Sequence, residues 1–259
     1  MSHDARLLLD LATEISRRAG RLLLERFSEP ARGIVTKTTP TDPVSDADRD
    51  AEAMIIGFVR EHRPRDGILA EEGGADDATS GLTWVIDPLD GTVNFLFGIP
   101  VWCVSIGIED SSGGSAGVVH NPNSDETFSA TRGGGAFLNG APIKVSGRKE
   151  LSSALVGTGF AYDPERRREQ AKKVAEILPL VRDIRRAGSA ALDLCSLACG
   201  RLDAFYEAPM ERWDRSAGEL ILREAGGAIT ELAAPRGASS GIIGSNPDLH
   251  EDFRKLVSD

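Results

Sequence analysis

A chain of 259 residues, 41% hydrophobic and 27% charged, is long enough for one large domain or two smaller ones and has no fibrous or low-complexity character. Its net charge of −10 argues against nucleic acid or an anionic membrane as the default partner, so an anionic substrate would need local positive charge, most simply a bound metal. Four histidines without an HExxH pattern set aside a zinc hydrolase, and no GxxxxGK[ST] run supports a P-loop. Cys103, Cys195 and Cys199 lack zinc-type spacing. With no secretory signal they point to a reducing cytoplasm, and no apolar run reaches membrane-spanning length.

Leu8, Leu11, Ala12, Ile15, Ala19, Leu22 and Leu23 recur at helical spacing and predict a long amphipathic helix over 5–27. Residues 33–43, rich in Thr and Pro, read as loop or short hairpin. A second helix buries Ala47, Ala51, Met54, Ile55 and Phe58, with Ser45 as its N-cap, Asp48 at the capping-box position and Pro64 as its stop. Ile68 to Ala70 is a brief strand running into the acidic turn Glu71-Glu72-Gly73-Gly74. Trp84 to Ile86 is a buried strand predicted to stop at Asp87-Pro88, which places Asp87 and Asp90 on one tight turn. Gly91 lets the backbone approach whatever those carboxylates hold, and a helical turn over 91–95 would offer free N–H groups to an anion. Strand-like runs at 101–109, 116–120 and 126–132 form an antiparallel meander, with a hairpin turn at Gly133-Gly134-Gly135 and a small hairpin around Asn139-Gly140.

Beyond residue 150 strands and helices alternate. Strands are expected at 154–159, 181–184, 202–207, 228–232 and 241–244. Between and after them come helices capped at Asp163-Pro164, Gly188-Ser189, Asp214 and Asn246-Pro247. The expectation is an α+β half over 1–150, two helices on an antiparallel sheet, and an α/β half over 151–259 with a mixed, largely parallel sheet. His120, His250 and Arg166-Arg167-Arg168 are expected at the solvated surface and receive no function.

Five acids, Asp48, Glu71, Asp87, Asp90 and Asp214, fall at element ends, where open sheets gather ligands. Each also has a plainer reading: Asp48 completes a cap, Glu71 is a solvated turn acid, and Asp214 is an N-cap. Periodicity does not bring these loops together.

Asp87-Pro88-Leu89-Asp90-Gly91-Thr92 resembles the signature of the inositol monophosphatase family, a group of metal-dependent phosphatases. Trp213-Asp214 followed by Ala217-Gly218 resembles its second signature. Glu71-Glu72, Gly188-Ser189-Ala190-Ala191 and Ala225-Gly226-Gly227 extend the likeness over nearly the whole chain. The resemblance implies a layered αβαβα sandwich and hydrolysis of a small phosphomonoester, inositol monophosphate foremost, by water activated with Mg²⁺. Glu71, Asp87 and the Leu89 carbonyl would hold one ion, and Asp87, Asp90 and Asp214 a second. A third, weaker ion would lie near Glu71. The N–H groups of Gly91 and Thr92 would hold the phosphate, while Glu207 and Gly188-Ser189-Ala190 would meet the alcohol. Asp48 and Thr92 match a hydrogen-bonded pair that orients the attacking water, and Lys37 matches a basic residue beside the third ion. Inhibition by Li⁺ and a homodimer are implied as well. Arg215 departs from the family pattern, which has a small or apolar residue there. Histidinol phosphate, fructose-1,6-bisphosphate and phosphoadenosine phosphate are alternative substrates within the family, and a non-catalytic binding protein on the same fold is the alternative outside the enzyme class.

Overall fold

The computed structural model describes residues 5–29, 33–36, 43–233 and 239–258, so Lys37 lies outside the described residues. Helix α1 (Ala5–Phe27) buries Leu8, Ala12, Ile15, Ala19 and Leu23 along one stripe, as its spacing predicts. The short strands β1 (Val35–Thr36) and β2 (Pro43–Val44) pair antiparallel ahead of α2 (Asp46–His62). Ser45 caps α2, and Asp48 closes the capping box by accepting from the Ser45 N–H at 2.9 Å.

Eight strands build the first sheet. They are β3 (Gly67–Ala70), β4 (Gly74–Asp76), β5 (Thr83–Asp90), then β6 (Cys103–Asp110), β7 (Gly113–Asn121), β8 (Glu126–Thr131), β9 (Gly135–Leu138) and β10 (Ala141–Pro142), with the short helix α3 (Thr92–Leu96) between β5 and β6. Their order is β10-β9-β8-β7-β6-β5-β3-β4, antiparallel except where β3 runs parallel to β5. Asn139 and Gly140, at φ of 49° and 80°, turn the last hairpin in the left-handed region that Asn-Gly tolerates.

The later elements are β11 (Leu155–Thr158), α4 (Pro164–Ile177), β12 (Asp183–Arg185), α5 (Ala190–Ala198), β13 (Ala204–Glu207), α6 (Arg212–Glu224), β14 (Ala228–Leu232), β15 (Gly241–Ser245) and α7 (His250–Ser258). The second sheet, β12-β11-β13-β15-β14, is mixed: β11 pairs parallel with β12 and β13, and β15 pairs antiparallel with β13 and β14.

Apolar faces order these pieces into five layers. Helices α1 and α2 cover one face of the first sheet, α5 and α6 lie between the two sheets, and α4 and α7 close the outer face of the second. Three buried clusters fill the gaps, and the middle one joins Cys103, Val119 and Phe128 of the first sheet to Leu194, Leu197 and Ile221 of the central helices. The αβαβα sandwich therefore follows from helices with one apolar stripe packed on sheets with two buried faces.

Four local expectations are corrected. Met54, expected on the inner face of α2, lies at the rim of the stripe made by Ala47, Ala51, Ile55 and Phe58 and is 38% exposed. Strand β5 does not stop at Asp87-Pro88 but continues to Asp90 through a bulge: Asp87 faces Ser105, whereas Asp90 already faces Cys103. Pro88, with no N–H to give a ladder, is tolerated at such an irregularity. Asp214 is not an N-cap. Glu211 holds that place, and Asp214 sits one turn inside α6, accepting from the Glu211 N–H at 2.7 Å. His120 is buried rather than solvated, its Nδ1 3.0 Å from Thr127 Oγ1, and the half-buried His250 is bracketed by Thr230 and Ser245.

Candidate active site

The β5 bulge opens into a cavity of about 670 Å³ between the two sheets. Glu71, Asp87, Leu89, Asp90, Gly91 and Thr92 line it from the first sheet. Gly188, Ser189, Ala190, Glu207 and Asp214 line it from the central helices and the second sheet. Asp48 stands behind this wall and acts through Thr92. The parallel pairing of Ala70 with Ile86 places the next residues side by side, Glu71 just past the end of β3 and Asp87 at the start of the β5 bulge, and the Glu71 N–H donates to the Ile86 carbonyl.

One oxygen of each aspartate is fixed by a donor. Asp87 Oδ1 accepts from the Leu89 N–H at 3.0 Å and Asp214 Oδ2 from the Glu211 N–H. Asp90 Oδ2 accepts from Ser189 Oγ at 2.6 Å and from the Ala191 N–H at 2.8 Å. The Ser189 hydroxyl, expected to meet a ligand, is thus engaged by Asp90. Anchoring one oxygen sets the rotamer of the other without internal help from cations. Burial, then the charges of Glu71, Asp90 and Asp214, push the Asp87 carboxyl well above the usual range. Burial and the Glu71 and Asp90 charges do the same to Asp214.

This donor set fits a hard divalent cation. It is all oxygen apart from the buried Cys103 thiol near Asp90, and its mutual repulsion is what a cation would relieve. Among the described residues, no three such side chains form a ready-made cage. Mg²⁺ does not need one, since it retains waters that complete its shell together with protein and substrate oxygens.

The same cavity is also lined by Glu207, Asp193 and Arg186. Burial, then neighbouring negative charge, raises both Asp193 and Glu207 to about 8. Arg166, expected to be plain surface, lines the same cavity. Asp193, Arg166 and Arg186 were not among the expected site residues. Asp193 did leave a trace in the sequence, as a lone acid between Leu192 and Leu194 in an otherwise apolar helix. Arg215 points elsewhere: it pairs with Glu219 at 3.3 Å in a second cavity, with Arg132, Arg212 and Arg223. No helix among the described residues is long and apolar enough to cross a membrane.

Comparison with known proteins agrees with this geometry. A sequence model of the inositol monophosphatase family matches residues 4–259. The chain is 43% identical over 236 residues to the inositol-1-monophosphatase of Mycobacterium bovis, covering 88% of this chain and 81% of that one. It is 40% identical over 232 residues to the Nus factor SuhB of Xylella fastidiosa, covering 88% and 84%. The crystal structure of the extragenic suppressor protein SuhB from Bartonella henselae superimposes with a TM-score of 0.89 at 34% identity, covering 98% of this chain and 99% of that one.

Proposed function

The chain belongs to the inositol monophosphatase family, and from that premise we propose that it hydrolyses a small phosphomonoester, inositol monophosphate foremost, with Mg²⁺ bound by its clustered carboxylates. Family membership supports a phosphatase. The observation that carries the finer reading is the convergence of Glu71, Asp87, Asp90 and Asp214 on one cavity, where neighbouring charges help raise Asp87 and Asp214. In this reading Glu71, Asp87 and the Leu89 carbonyl hold one ion and Asp87, Asp90 and Asp214 another, with Glu71 near a third. Segment 1–150 supplies most of the ligands, and segment 151–259 supplies Asp214 and the contacts to the alcohol. Bound there, the metal polarises the phosphate and makes water a better nucleophile.

The chain's own residues divide the remaining work. Asp48 Oδ2 is held by the Ser45 N–H and hydroxyl, which fixes Oδ1 as an acceptor for Thr92 Oγ1 at 3.0 Å. Thr92 Oγ1 also lies 3.1 Å from the Leu89 carbonyl, a second acceptor for its one proton. In this reading that carbonyl is committed to the ion, the proton goes to Asp48, and the lone pairs of Thr92 Oγ1 orient the O–H of an attacking water beside Glu71. The N–H groups at Gly91 and Thr92 receive the phosphate, and Gly91, at φ of 100°, provides the left-handed turn that presents them. Glu207 and the Gly188-Ser189-Ala190 turn meet the leaving alcohol.

Phosphate release from inositol 1-phosphate, histidinol phosphate, fructose-1,6-bisphosphate and phosphoadenosine phosphate, each with and without Mg²⁺, tests the proposal. Metal-stimulated release fastest from inositol 1-phosphate is expected. Fastest release from histidinol phosphate overturns the substrate, and no metal-stimulated release from any of the four overturns the activity. The same reading carries cytoplasmic location, inhibition by millimolar Li⁺ and a homodimer, which sedimentation velocity checks. The name Nus factor borne by a 40% identical relative favours a second reading, a role in transcription complexes. It competes with catalysis only if the four carboxylates prove dispensable.

A further inference from the structure

Asp193 is 4% exposed, lines the cavity and accepts no hydrogen bond from any described residue. Its neighbours in α5, among them Leu192, Leu194, Cys195 and Leu197, are buried apolar side chains. A carboxyl group placed there loses its water and gains no internal donor, which is a costly way to fill a helix face. Across the cavity Glu207 is in the same position: no side-chain hydrogen bond or ion pair serves it, and the carboxyl group rests on Gly159, where a Cβ would overlap it. Gly159 does not have a positive φ, so space, not backbone conformation, requires the glycine. Gly157, two residues earlier, makes room for Leu202 and Phe205, with the Asp193 Cβ only at ordinary van der Waals distance from a Cβ placed there. Two carboxyl groups without internal hydrogen-bond partners among the described residues thus line the same void, and the missing side chain at Gly159 makes room for one of them.

We propose that Asp193 is a specificity-determining residue, which together with Glu207 hydrogen-bonds two adjacent hydroxyls of the leaving alcohol. The proposal deepens the phosphatase reading of this cavity and rests on it. Two neighbouring carboxyl groups suit either a pair of hydroxyls or an ammonium group. Burial, then the Asp90 charge at Asp193 and the Asp193 and Asp90 charges at Glu207, raise both groups to about 8 and keep the pair partly protonated at neutral pH. A carboxyl that both donates and accepts matches a hydroxyl that does the same. Arg186, exposed at the cavity wall and in no ion pair with a described residue, disfavours an ammonium and tolerates a neutral polyol. The substrate class is therefore a polyol phosphate with vicinal hydroxyls.

Steady-state kinetics of the full chain with Mg²⁺ provide the test, using inositol 1-phosphate, its hydroxyl-free counterpart cyclohexyl phosphate, and ethanolamine phosphate. Wild type, Asp193→Asn and Asp193→Leu are compared. The preference of wild type for inositol 1-phosphate over cyclohexyl phosphate should fall about tenfold or more in Asp193→Leu, chiefly through KM. Asparagine, which also donates and accepts, should restore part of it. Equal loss on inositol and cyclohexyl phosphate, accompanied by a lower melting temperature, overturns the proposal in favour of a structural role. A preference for ethanolamine phosphate that Asp193→Asn abolishes overturns the hydroxyl pair in favour of an ammonium. If Asp193→Leu does not fold, the asparagine variant and the wild-type preference between the first two substrates decide: absence of that preference overturns the proposal. Failure of wild type to release phosphate from any of the three overturns the phosphatase reading itself.

Discussion

Thr92 Oγ1 donates to Asp48 Oδ1 across 3.0 Å, joining the first turn of α3 to the first turn of α2 over 44 residues of sequence. Asp48 serves two purposes at once, closing the cap of α2 with Oδ2 and directing the Thr92 proton with Oδ1. Thr92→Val preserves the shape and removes the hydroxyl. Because orientation, not binding, is lost, kcat should fall about a hundredfold with KM nearly unchanged. Asp48→Asn should do the same and also lower the melting temperature, since it weakens a helix cap. A Thr92→Val variant with wild-type kcat would remove the pair from the mechanism.

Asp87 is a buried acid surrounded by other acids. Burial, Glu71, Asp90 and Asp214 all disfavour its charge, so in EDTA Asp87→Asn should stabilise the fold. With Mg²⁺ the order reverses. Wild type should gain about 5–10 °C in melting temperature at a metal concentration near a hundred times Kd, and the asparagine variant much less. Differential scanning fluorimetry with and without Mg²⁺ reads both effects. A wild-type melting temperature indifferent to divalent cations would count against the metal site. Asp90→Asn should keep the fold, because asparagine still accepts from Ser189 and the Ala191 N–H, and yet lose most turnover.

The elements were legible where local chemistry decides them. The stripe of α1, the Ser45 cap and the Asn139-Gly140 turn need only their neighbours in sequence. The bulge in β5 was not legible, because it depends on Ser105 and Cys103 as register partners across the sheet. Acids at element ends marked the site, but their meeting depends on parallel pairing of β3 with β5 and on α6 packing behind the first sheet. Resemblance supplied that juxtaposition in advance; periodicity had no means to. Asp193 and Arg166 stayed hidden for a different reason. A cavity wall is shaped by what is missing from it, here the side chain of Gly159, and a glycine at a strand's end does not announce which residue uses its space.

Far from the cavity, Asp66 gives a pH dependence of stability. Burial pushes its carboxyl up, but hydrogen bonds from Arg63, Trp84 and Ser80 and the Arg63 charge outweigh that and hold it below the usual range. A carboxyl depressed in the folded state contributes stability that is complete above its unfolded value and lost as pH falls through the folded one. Asp66→Asn should therefore cost about 1–3 kcal/mol near pH 7, and the difference from wild type should shrink below about pH 4. Urea unfolding at a series of pH values measures it; a pH-independent difference would assign the loss to packing.

Gly159→Ala isolates the Glu207 carboxyl from the rest of the site. The backbone there accepts alanine, and the added methyl meets the far end of a flexible side chain, so the fold should lose little stability. Glu207, however, must leave its place on the cavity wall. KM for inositol 1-phosphate should rise about tenfold, while cyclohexyl phosphate, which has no hydroxyls for Glu207 to hold, should suffer less. Shortening the displaced side chain returns the room, so Gly159→Ala combined with Glu207→Asp should recover part of the lost preference. Steady-state kinetics of the three variants check this. Recovery would tie the effect to the carboxyl position, and a double variant worse than both singles would show that Gly159 acts through the backbone of β11 instead.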